Sequence, residues 1–550
     1  MHRYHTLLVA AAVAAFAGRL DAQSLTIGGT VADSITAAPV DSARVDVVHV
    51  SNPALRHTLY SDISGAWSLT FLPASVGGDA EVPAAVDLRQ NYPNPFNPTT
   101  TIGFSLARPA RVRLSVYTVI GQLLDRQSAD LGAGGYSVTW KSRGAAGVLF
   151  YELEAGGTRR VRRMVQLDGG SGGGLGEFAP AAATAAGTAS ADASPGPVDS
   201  YRVIVSRFDY RTDSAVVEPS PGLNLRTRLQ SVHHASFVMD FHNDVLEKVV
   251  TGYQLGVRNT INHSDLPRFR DGGVDAQMMS VWVNPTAYPS TAFQRAMQMI
   301  DSFEVQVARN PTTLAPARTE AEVLQANREG KFAAMLSIEG GHAIQDDLTK
   351  LRALHSRGAR SMTITWNNST AWATSAADAQ SATRGLSPFG VEVIRLMDSL
   401  GMIIDVAHTG IKTIQDILAT TRNPVVDTHA GARALRNHYR NLTDSQIVAV
   451  ARTGGVIGVV FYPPFLTGAG TASIDTVIRH IEYIRTLAGI DHVALGSDFD
   501  GIEQTVTGLE NVTRFPSLSR ALLRRGWTVA DLQKLLGGNM LRVIRTVCRP

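Results

Sequence analysis

The sequence predicts a multidomain protein in which a C-terminal (β/α)8 TIM barrel follows a group of all-β sandwich modules. The chain has 550 residues, which is too long for one ordinary hydrophobic core. From residue 237 onward, short apolar runs alternate with helix-length amphipathic segments, as in a parallel sheet covered by helices on both faces. Before that point, short β-rich runs separated by turn residues indicate sandwiches.

Eight apolar runs in the C-terminal part predict the eight strands of the barrel. They are residues 237–241, 276–283, 332–338, 361–365, 401–406, 424–427, 456–462 and 492–496. The stretches between them, for example 346–357, 391–400 and 473–488, carry apolar residues at helical spacing. We therefore expect residues 236–550 to form one barrel domain.

The N-terminus has the pattern of a secretory signal. Arg3 precedes an apolar run at 7–17, and polar residues ending in Asp21-Ala22-Gln23 follow it. The run is short for a bilayer span, and we expect residues 1–22 to be a signal peptide, with a buried N-terminal strand or helix as the alternative. The product is then exported, to the periplasm, the outer surface or the medium. Since no later segment has the ~20 uninterrupted apolar residues of a membrane helix, no transmembrane segment is predicted.

Charge and cysteine content argue against a nucleic-acid-binding protein and against a disulfide-stabilised one. The formal net charge of +3 is small for this length, so there is no general electrostatic case for nucleic acid as a partner. The basic cluster at 159–163 is interpreted as a solvated strand end. Cys548 is the only cysteine, so no intrachain disulfide is expected.

The first predicted β module is split along the chain. The motifs at 29–31, 39–40, 43–45 and 61–67 resemble the carboxypeptidase regulatory-like β-sandwich. The last strands of that fold do not follow directly, and matching β-rich runs occur only at 201–205 and 214–217. We therefore assign residues 24–78 and 200–231 to one split sandwich.

A second β module is predicted between these halves, at residues 86–167. Its segments 88–98, 112–117 and 147–151 resemble the sorting domain of proteins exported by type IX secretion. That domain normally lies at the C-terminal end of the chain, whereas here it is internal. Two roles therefore remain as alternatives, contact with the secretion machinery and a purely structural sandwich. Surface loops accept such insertions because closing a longer loop costs little. The Gly/Ala/Ser/Pro-rich residues 168–199 predict a flexible linker.

Reactive side chains follow five of the eight predicted strands. They are His242 and Asp244 after the first strand, Glu339 after the third, His408 after the fifth, His429 after the sixth and Asp498 after the eighth. The carboxyl ends of barrel strands converge on one rim, so these side chains should lie together. Each alone could be a core histidine or a helix-start carboxylate, but their joint placement indicates a site.

The residue types predict a pair of metal ions. Imidazole and carboxylate ligands without thiolate favour Zn²⁺ over Mn²⁺, Co²⁺ or Fe²⁺. In His-x-Asp both side chains share one face of a strand, so His242 and Asp244 can hold one ion. His408 and His429 offer imidazoles to a second, and Glu339 is able to bridge both. Two such ions would hold a hydroxide between them and polarise a carbonyl, with Asp498 as the base or the last ligand.

These segments resemble the membrane (renal) dipeptidase family, within the amidohydrolase-like barrels. The matching segments are 240–244, 339–342, 404–408, 440–444 and 496–501. The resemblance implies two Zn²⁺ per barrel, with the residues above as ligands and with Glu339 and Asp498 as catalytic residues, the latter in proton transfer. It also implies that Arg440 pairs with the C-terminal carboxylate of a dipeptide, which suits a planar guanidinium.

One position departs from the family pattern. Where well-known mammalian members carry a histidine that contacts the substrate near the scissile carbonyl, this chain has Trp366. Tryptophan has one N–H donor and cannot act as a general acid. We expect oxyanion stabilisation to come from the metals, from the Trp366 N–H, or from Asn367 or Asn368, and we assign Trp366 and Asn367 to substrate binding.

Three functions are compatible with these patterns. The leading hypothesis is an exported zinc dipeptidase that hydrolyses dipeptides by a metal-bridging hydroxide. The alternative is a related metal-dependent amidohydrolase acting on lactones, β-lactams or N-acyl amino acids. A non-enzymatic binding module is the third hypothesis, and the complete ligand set argues against it. A homodimer and the secretion machinery are the macromolecular partners that the sequence leaves open.

Overall fold

The computed structural model describes residues 25–549 except for 52, 54–55, 72–85, 92–93, 95, 97, 120, 145, 167–169, 181–199, 219–222 and 469. The predicted signal peptide at 1–22 therefore lies outside the described residues. In the part of the chain that is described, no helix is both long and apolar enough to cross a membrane.

The N-terminal part is built from strands. In chain order they are β1 (Leu25–Asp33), β2 (Arg44–His49), β3 (Arg56–Tyr60), β4 (Ala66–Phe71), β5 (Asp87–Leu88), β6 (Thr99–Leu106), β7 (Ala110–Thr118), β8 (Leu123–Leu131), β9 (Gly134–Gly144), β10 (Gly147–Ala155), β11 (Thr158–Gln166), β12 (Gly170–Leu175), β13 (Ala179–Pro180), β14 (Tyr201–Ser206), β15 (Asp213–Val217) and β16 (Leu223–Leu229). Multiple β-sheets before the barrel were predicted, and this part of the fold class is confirmed.

Strands from the two ends of this part share two sheets. β1 lies between β16 and β4, and the second sheet has the order β15-β14-β2-β3. Ile27, Val45, Val47 and Val203 are buried in one apolar cluster. Residues 201–229 thus complete sheets that residues 25–71 begin, while the domain boundaries drawn from the sequence stay a prediction.

The strands between these halves form two further sheets, in the orders β11-β10-β7-β8 and β12-β9-β6-β5. Phe104, Trp140 and Tyr151 are fully buried in one cluster with residues of both sheets. The Tyr151 hydroxyl donates to the Arg89 carbonyl (2.8 Å) and accepts from the Asn91 N–H (2.7 Å). The motif around Asn91 is therefore tied to the core of this sandwich.

The structure corrects part of the predicted linker at 168–199. β12 and β13 both pair with β9, so residues 170–180 belong to the second sandwich. Glycine brings no side chain that must be packed, and the backbone of a glycine-rich segment can pair with an open sheet edge. Leu175 and Phe178 also pack against the core. Composition did not show this pairing because its partner strand lies about 30 residues earlier.

The C-terminal part contains all eight predicted strands. The strands there are β17 (Met239–Asn243), β18 (Ala276–Trp282), β19 (Leu314–Pro316), β20 (Phe332–Glu339), β21 (Ala359–Thr363), β22 (Ile403–Asp405), β23 (Val425–Ala430), β24 (Val456–Val459) and β25 (Val493–Leu495). They pair in parallel in the order β17-β18-β20-β21-β22-β23-β24-β25, and β19 is a short addition beside β20. A parallel bridge between Asn243 and Phe499 joins the last strand region to the first. The predicted barrel is confirmed as a nearly closed parallel sheet.

Helices follow the strands. They are α1 (Val245–Val249), α2 (Leu266–Asp271), α3 (Ala292–Arg309), α4 (Glu320–Arg328), α5 (Leu348–Ser356), α6 (Pro388–Leu400), α7 (Ile411–Thr420), α8 (Asp444–Arg452), α9 (Pro463–Leu466), α10 (Ile474–Ala488), α11 (Phe515–Arg524), α12 (Val529–Gln533) and α13 (Asn539–Val547). Short 3-10 turns occur at Gly341–Ile344, Ile490–His492 and Val512–Arg514, and a π-helical turn spans Lys534–Gly538. Met239, Met278 and Met335 of the strands share one buried cluster with Met540 and Ile544 of α13.

Asp275, just before β18, gives the barrel a pH-dependent stability. Its Oδ2 accepts the Val238 N–H (2.8 Å), and burial raises the pKa of Asp275 to about 6 from 3.8. Because the folded-state pKa lies above the unfolded one, the folded barrel loses stability as pH rises from about 4 to about 6. The loss is at most about 3 kcal/mol.

We expect Asp275→Asn to remove this penalty, because the amide keeps an acceptor for Val238 without a charge. The variant should melt at a higher temperature than the wild type at pH 7 and at nearly the same temperature at pH 4. Thermal unfolding of both proteins at the two pH values measures this. An equal difference at both pH values would contradict the assignment to Asp275.

Candidate metal centre

The barrel brings the six predicted ligands to one rim. His242 lies in β17, Asp244 precedes α1, Glu339 ends β20 and His429 lies in β23. His408 and Asp498 follow β22 and β25. All six are buried. The structure therefore places together the residues that the sequence predicted from five strand ends.

One half of the centre is arranged around His242. Its Nε2 lies 3.4 Å from Asp244 Oδ2 and 3.2 Å from Glu339 Oε2. Asp498 Oδ1 is 3.9 Å from the same nitrogen. Three carboxylates thus face one imidazole, an excess of negative charge that a cation would balance.

The other half is arranged around two imidazoles. His408 Nε2 lies 3.1 Å from His429 Nε2 and 3.2 Å from Glu339 Oε1. Glu339 therefore turns one oxygen towards each half of the centre. A carboxylate with this placement is able to bridge two ions.

Hydrogen bonds fix the orientation of both imidazoles. His408 donates from Nδ1 to Asn367 Oδ1 (2.9 Å). Thr428 Oγ1 donates to Asp405 Oδ2 (2.6 Å), so it accepts from His429 Nδ1 (2.9 Å). With Nδ1 carrying the hydrogen on both rings, the Nε2 lone pairs face into the centre, as metal ligation requires.

Burial decides the protonation of the centre. It holds the pKa of His408 and that of His429 well below the ordinary value, so both rings are neutral at physiological pH. Burial also opposes protonation of His242, but Glu339 and Asp244 outweigh it and raise the pKa of His242 well above its ordinary value. Burial raises the pKa of Asp498, with Asp244 and Glu339 acting in the same direction.

The donor atoms fit a metal. Among the described residues, both ring nitrogens of His242 and Oδ1 of Asp244 lack a hydrogen-bond partner although they are buried. Two sets of donor atoms lie within 4.8 Å of one another, His242 with Glu339 and His429, and His242 with Asp244 and Asp498. Buried polar atoms without partners are costly, and coordination to a cation satisfies them.

The backbone is strained at this rim. His408, Asp498 and Asp500 have positive φ values of 61°, 63° and 67°, a conformation that costs free energy for residues other than glycine. The Asp498 N–H donates to the His242 carbonyl (3.1 Å) and the Ala376 N–H to the His408 carbonyl (2.7 Å). These bonds hold two site residues in conformations that they would not adopt alone.

Some contacts of the centre were not predicted. Ser280 Oγ donates to Glu339 Oε2 (2.9 Å), and Thr363 Oγ1 donates to Asp405 Oδ2 (2.7 Å). The available signal was the presence of polar residues inside the apolar runs 276–283 and 361–365. His342, three residues after Glu339, contacts the Val283 carbonyl through Nε2 (2.8 Å).

The residues predicted to bind substrate differ in how deeply they are buried. Arg440 is buried, donates from Nη2 to the His429 carbonyl (3.1 Å) and lies over the ring of Phe465. Its Nε has no hydrogen-bond partner among the described residues. Trp366 and the exposed Asn367 instead line an open cleft of about 520 Å³ above the carboxylates. Trp366 packs 5.1 Å from the ring of Trp282.

Comparison with known proteins decides the family. Residues 226–549 match the family described as membrane dipeptidase, peptidase family M19. This chain belongs to the membrane dipeptidase family. The resemblance seen in the sequence is confirmed, and the protein is a metallo-dipeptidase.

Solved structures of similar proteins support this membership. The dipeptidase AC, a metallopeptidase of family M19, is 25% identical with a TM-score of 0.54, and the match covers 57% of this chain and 99% of that chain. A metallopeptidase from Rhodobacter sphaeroides, liganded with a phosphinate mimic of the dipeptide L-Ala-D-Ala, gives the same values. The probable dipeptidase PvdM from Pseudomonas aeruginosa is 24% identical with a TM-score of 0.54, covering 57% and 96%. In all three, the dipeptidase fold corresponds to the barrel region.

The hydrogen bond from His408 to Asn367 gives a test of the centre. Asn367→Ala removes the acceptor that orients His408, so the affinity for Zn²⁺ should fall about 10–100-fold. The matched control is Asn368→Ala, because Asn368 Oδ1 has no hydrogen-bond partner among the described residues. Competition titrations with a zinc-sensitive chelator measure both variants, and equal affinities would argue against this role.

Proposed function

We propose that this metallo-dipeptidase is an exported zinc enzyme that hydrolyses the peptide bond of dipeptides at a two-metal site. The observation that carries the proposal is the position of Glu339, whose two oxygens lie 3.2 Å from His242 and 3.2 Å from His408. Family membership supports metal-dependent dipeptidase chemistry.

We assign two overlapping sets of ligands. His242, Asp244 and Asp498 would hold one ion, His408 and His429 would hold the other, and Glu339 would contribute an oxygen to each. Imidazole and carboxylate donors without thiolate favour zinc. When bound, two zinc ions supply a Lewis acid for the carbonyl and a nucleophile at neutral pH.

Residues of the chain position the dipeptide. Arg440 has a free Nε beside the centre, and its planar guanidinium would hold the C-terminal carboxylate of the substrate. Its contact with the His429 carbonyl fixes it relative to the imidazoles. Asn367 uses its carboxamide oxygen on His408, which leaves its N–H₂ group to donate to the substrate in the cleft.

Asp498 is the residue that we assign to proton transfer. It lies at the rim next to both other carboxylates, and burial raises its pKa well above the ordinary value. A carboxyl group with a raised pKa can accept a proton at neutral pH and return it to the leaving amine. Trp366 cannot share this task, because the indole N–H does not ionise near neutral pH.

A related amidohydrolase acting on lactones, β-lactams or N-acyl amino acids is the second candidate. The Rhodobacter sphaeroides relative carries a dipeptide mimic, which favours dipeptides for this chain. Export rests on the pattern of residues 1–22, and contact with secretion machinery rests on the sorting-like segments.

A substrate panel tests the proposed function. The full chain is stripped of metal with a chelator and reloaded with Zn²⁺, then given an L,L-dipeptide, an L,D-dipeptide, an N-acyl amino acid and a lactone. We expect dipeptide hydrolysis that disappears on chelation and returns with Zn²⁺, and two zinc ions per chain by elemental analysis. Absence of dipeptide turnover with two ions bound would overturn the proposal.

Asp498→Asn tests proton transfer separately from metal binding. The amide keeps an oxygen ligand but cannot carry the proton, so kcat should fall about 10²–10⁴-fold while most of the zinc is retained. Glu392→Gln is the control, since Glu392 is an exposed carboxylate on α6 that does not line the cleft. Unchanged turnover in Asp498→Asn would remove this residue from the mechanism.

A further inference from the structure

Two tryptophans form one wall of the cleft above the metal centre. Trp282 ends β18 and Trp366 follows β21, so they flank the strand that ends in Glu339. Their ring centroids are 5.1 Å apart with an angle of 56° between the planes. The Trp366 ring also lies 6.1 Å from the His408 ring. The wall is therefore in contact with a proposed metal ligand.

These tryptophans differ from the core tryptophans of the same chain. Trp140 and Trp372 are fully buried, whereas Trp282 and Trp366 are only partly buried and both line the cleft. The Trp282 Nε1 is itself buried, without a hydrogen-bond partner among the described residues. What the pair presents to the cleft is therefore mainly the apolar faces of two indoles.

A second aromatic pair lies on another arc of the rim. Tyr462 and Phe465, which follow β24, also line the cleft and pack edge to face with centroids 4.9 Å apart. In the strand order, the two pairs are separated by β22 and β23, which carry the imidazoles. A substrate at the metal centre thus lies between aromatic surfaces.

The charged groups around the cleft are mostly acidic. Glu503 and Asp500 line it, and the ammonium of Lys248 is paired with Glu247 (2.6 Å). An acidic substrate side chain would meet like charges there. An aromatic or bulky apolar side chain would instead bury its surface on the indole faces.

We propose that Trp282 and Trp366 form an aromatic subsite that makes this enzyme selective for dipeptides with one aromatic or bulky apolar side chain. The inference rests on the proposed dipeptidase function and adds the substrate class. Trp366 supplies the surface next to His408, and Trp282 holds the Trp366 ring in place. Trp366 is thus a specificity-determining residue at the position where well-known mammalian members have a histidine.

The ratio of kcat/KM values tests the subsite. The zinc-loaded full chain is assayed on Phe-Ala, Ala-Phe, Ala-Ala and Glu-Ala. We expect one of the two phenylalanine dipeptides to exceed Ala-Ala by about tenfold or more, with Glu-Ala the poorest substrate. Trp366→Ala should reduce the ratio of the preferred dipeptide to Ala-Ala about tenfold, mainly through KM, and Trp366→Phe should retain most of it.

Controls separate specificity from folding and from metal loss. Zinc content and melting temperature are measured for each variant. Trp527→Phe, at an indole between α11 and α12 that does not line the cleft, should leave the ratio unchanged. Two results would overturn the subsite alone. One is a wild-type enzyme that hydrolyses dipeptides but shows no preference for those with an aromatic side chain. The other is a kcat/KM ratio that stays unchanged in Trp366→Ala. Absence of hydrolysis of every dipeptide would overturn the proposed function itself.

Discussion

The buried carboxylate of Glu339 is the group on which the geometry of the centre depends. It lies at the end of β20 between two imidazoles, and Ser280 donates to one of its oxygens. A buried carboxylate is stable only with close partners. The surroundings of Glu339 supply such partners on both sides. Its negative charge, together with that of Asp244, outweighs the effect of burial and raises the pKa of His242.

Closure of the barrel and assembly of the centre use the same hydrogen bonds. The Asp244 N–H donates to the Phe499 carbonyl (2.9 Å), and the Asp498 N–H donates to the His242 carbonyl (3.1 Å). Ser497 adds two hydrogen bonds from its N–H and Oγ to Asp240. Residues from the first and last strands therefore reach the metal centre only when the sheet closes, so the centre is a product of the complete fold.

Local sequence patterns predicted the strands and the family, but they did not predict contacts between distant segments. The eight strands were predictable because each is a short, mostly apolar run, and His242 and Glu339 because they follow such runs. The pairing of β12 with β9 and the hydrogen bond from His408 to Asn367 could not be predicted in this way. Both join segments that are distant in sequence, and hydrophobic periodicity carries no information about such contacts. The same applies to Trp282, because its place in an apolar run does not indicate that its ring packs on Trp366.

The tryptophan at position 366 changes which groups at this rim can donate hydrogen bonds or protons to a substrate. A histidine there can donate to the substrate carbonyl and can also carry a proton, whereas an indole can only donate one N–H. Nearby amide or indole N–H groups would then assist in stabilising the developing oxyanion, together with the charge that bound metal would supply. The Trp366 ring instead provides an apolar surface that packs on Trp282 and faces the cleft. In the proposed subsite, binding energy from a substrate side chain on that surface would help to position the scissile bond at the metal centre and would so compensate for the polar contact that a histidine would have made.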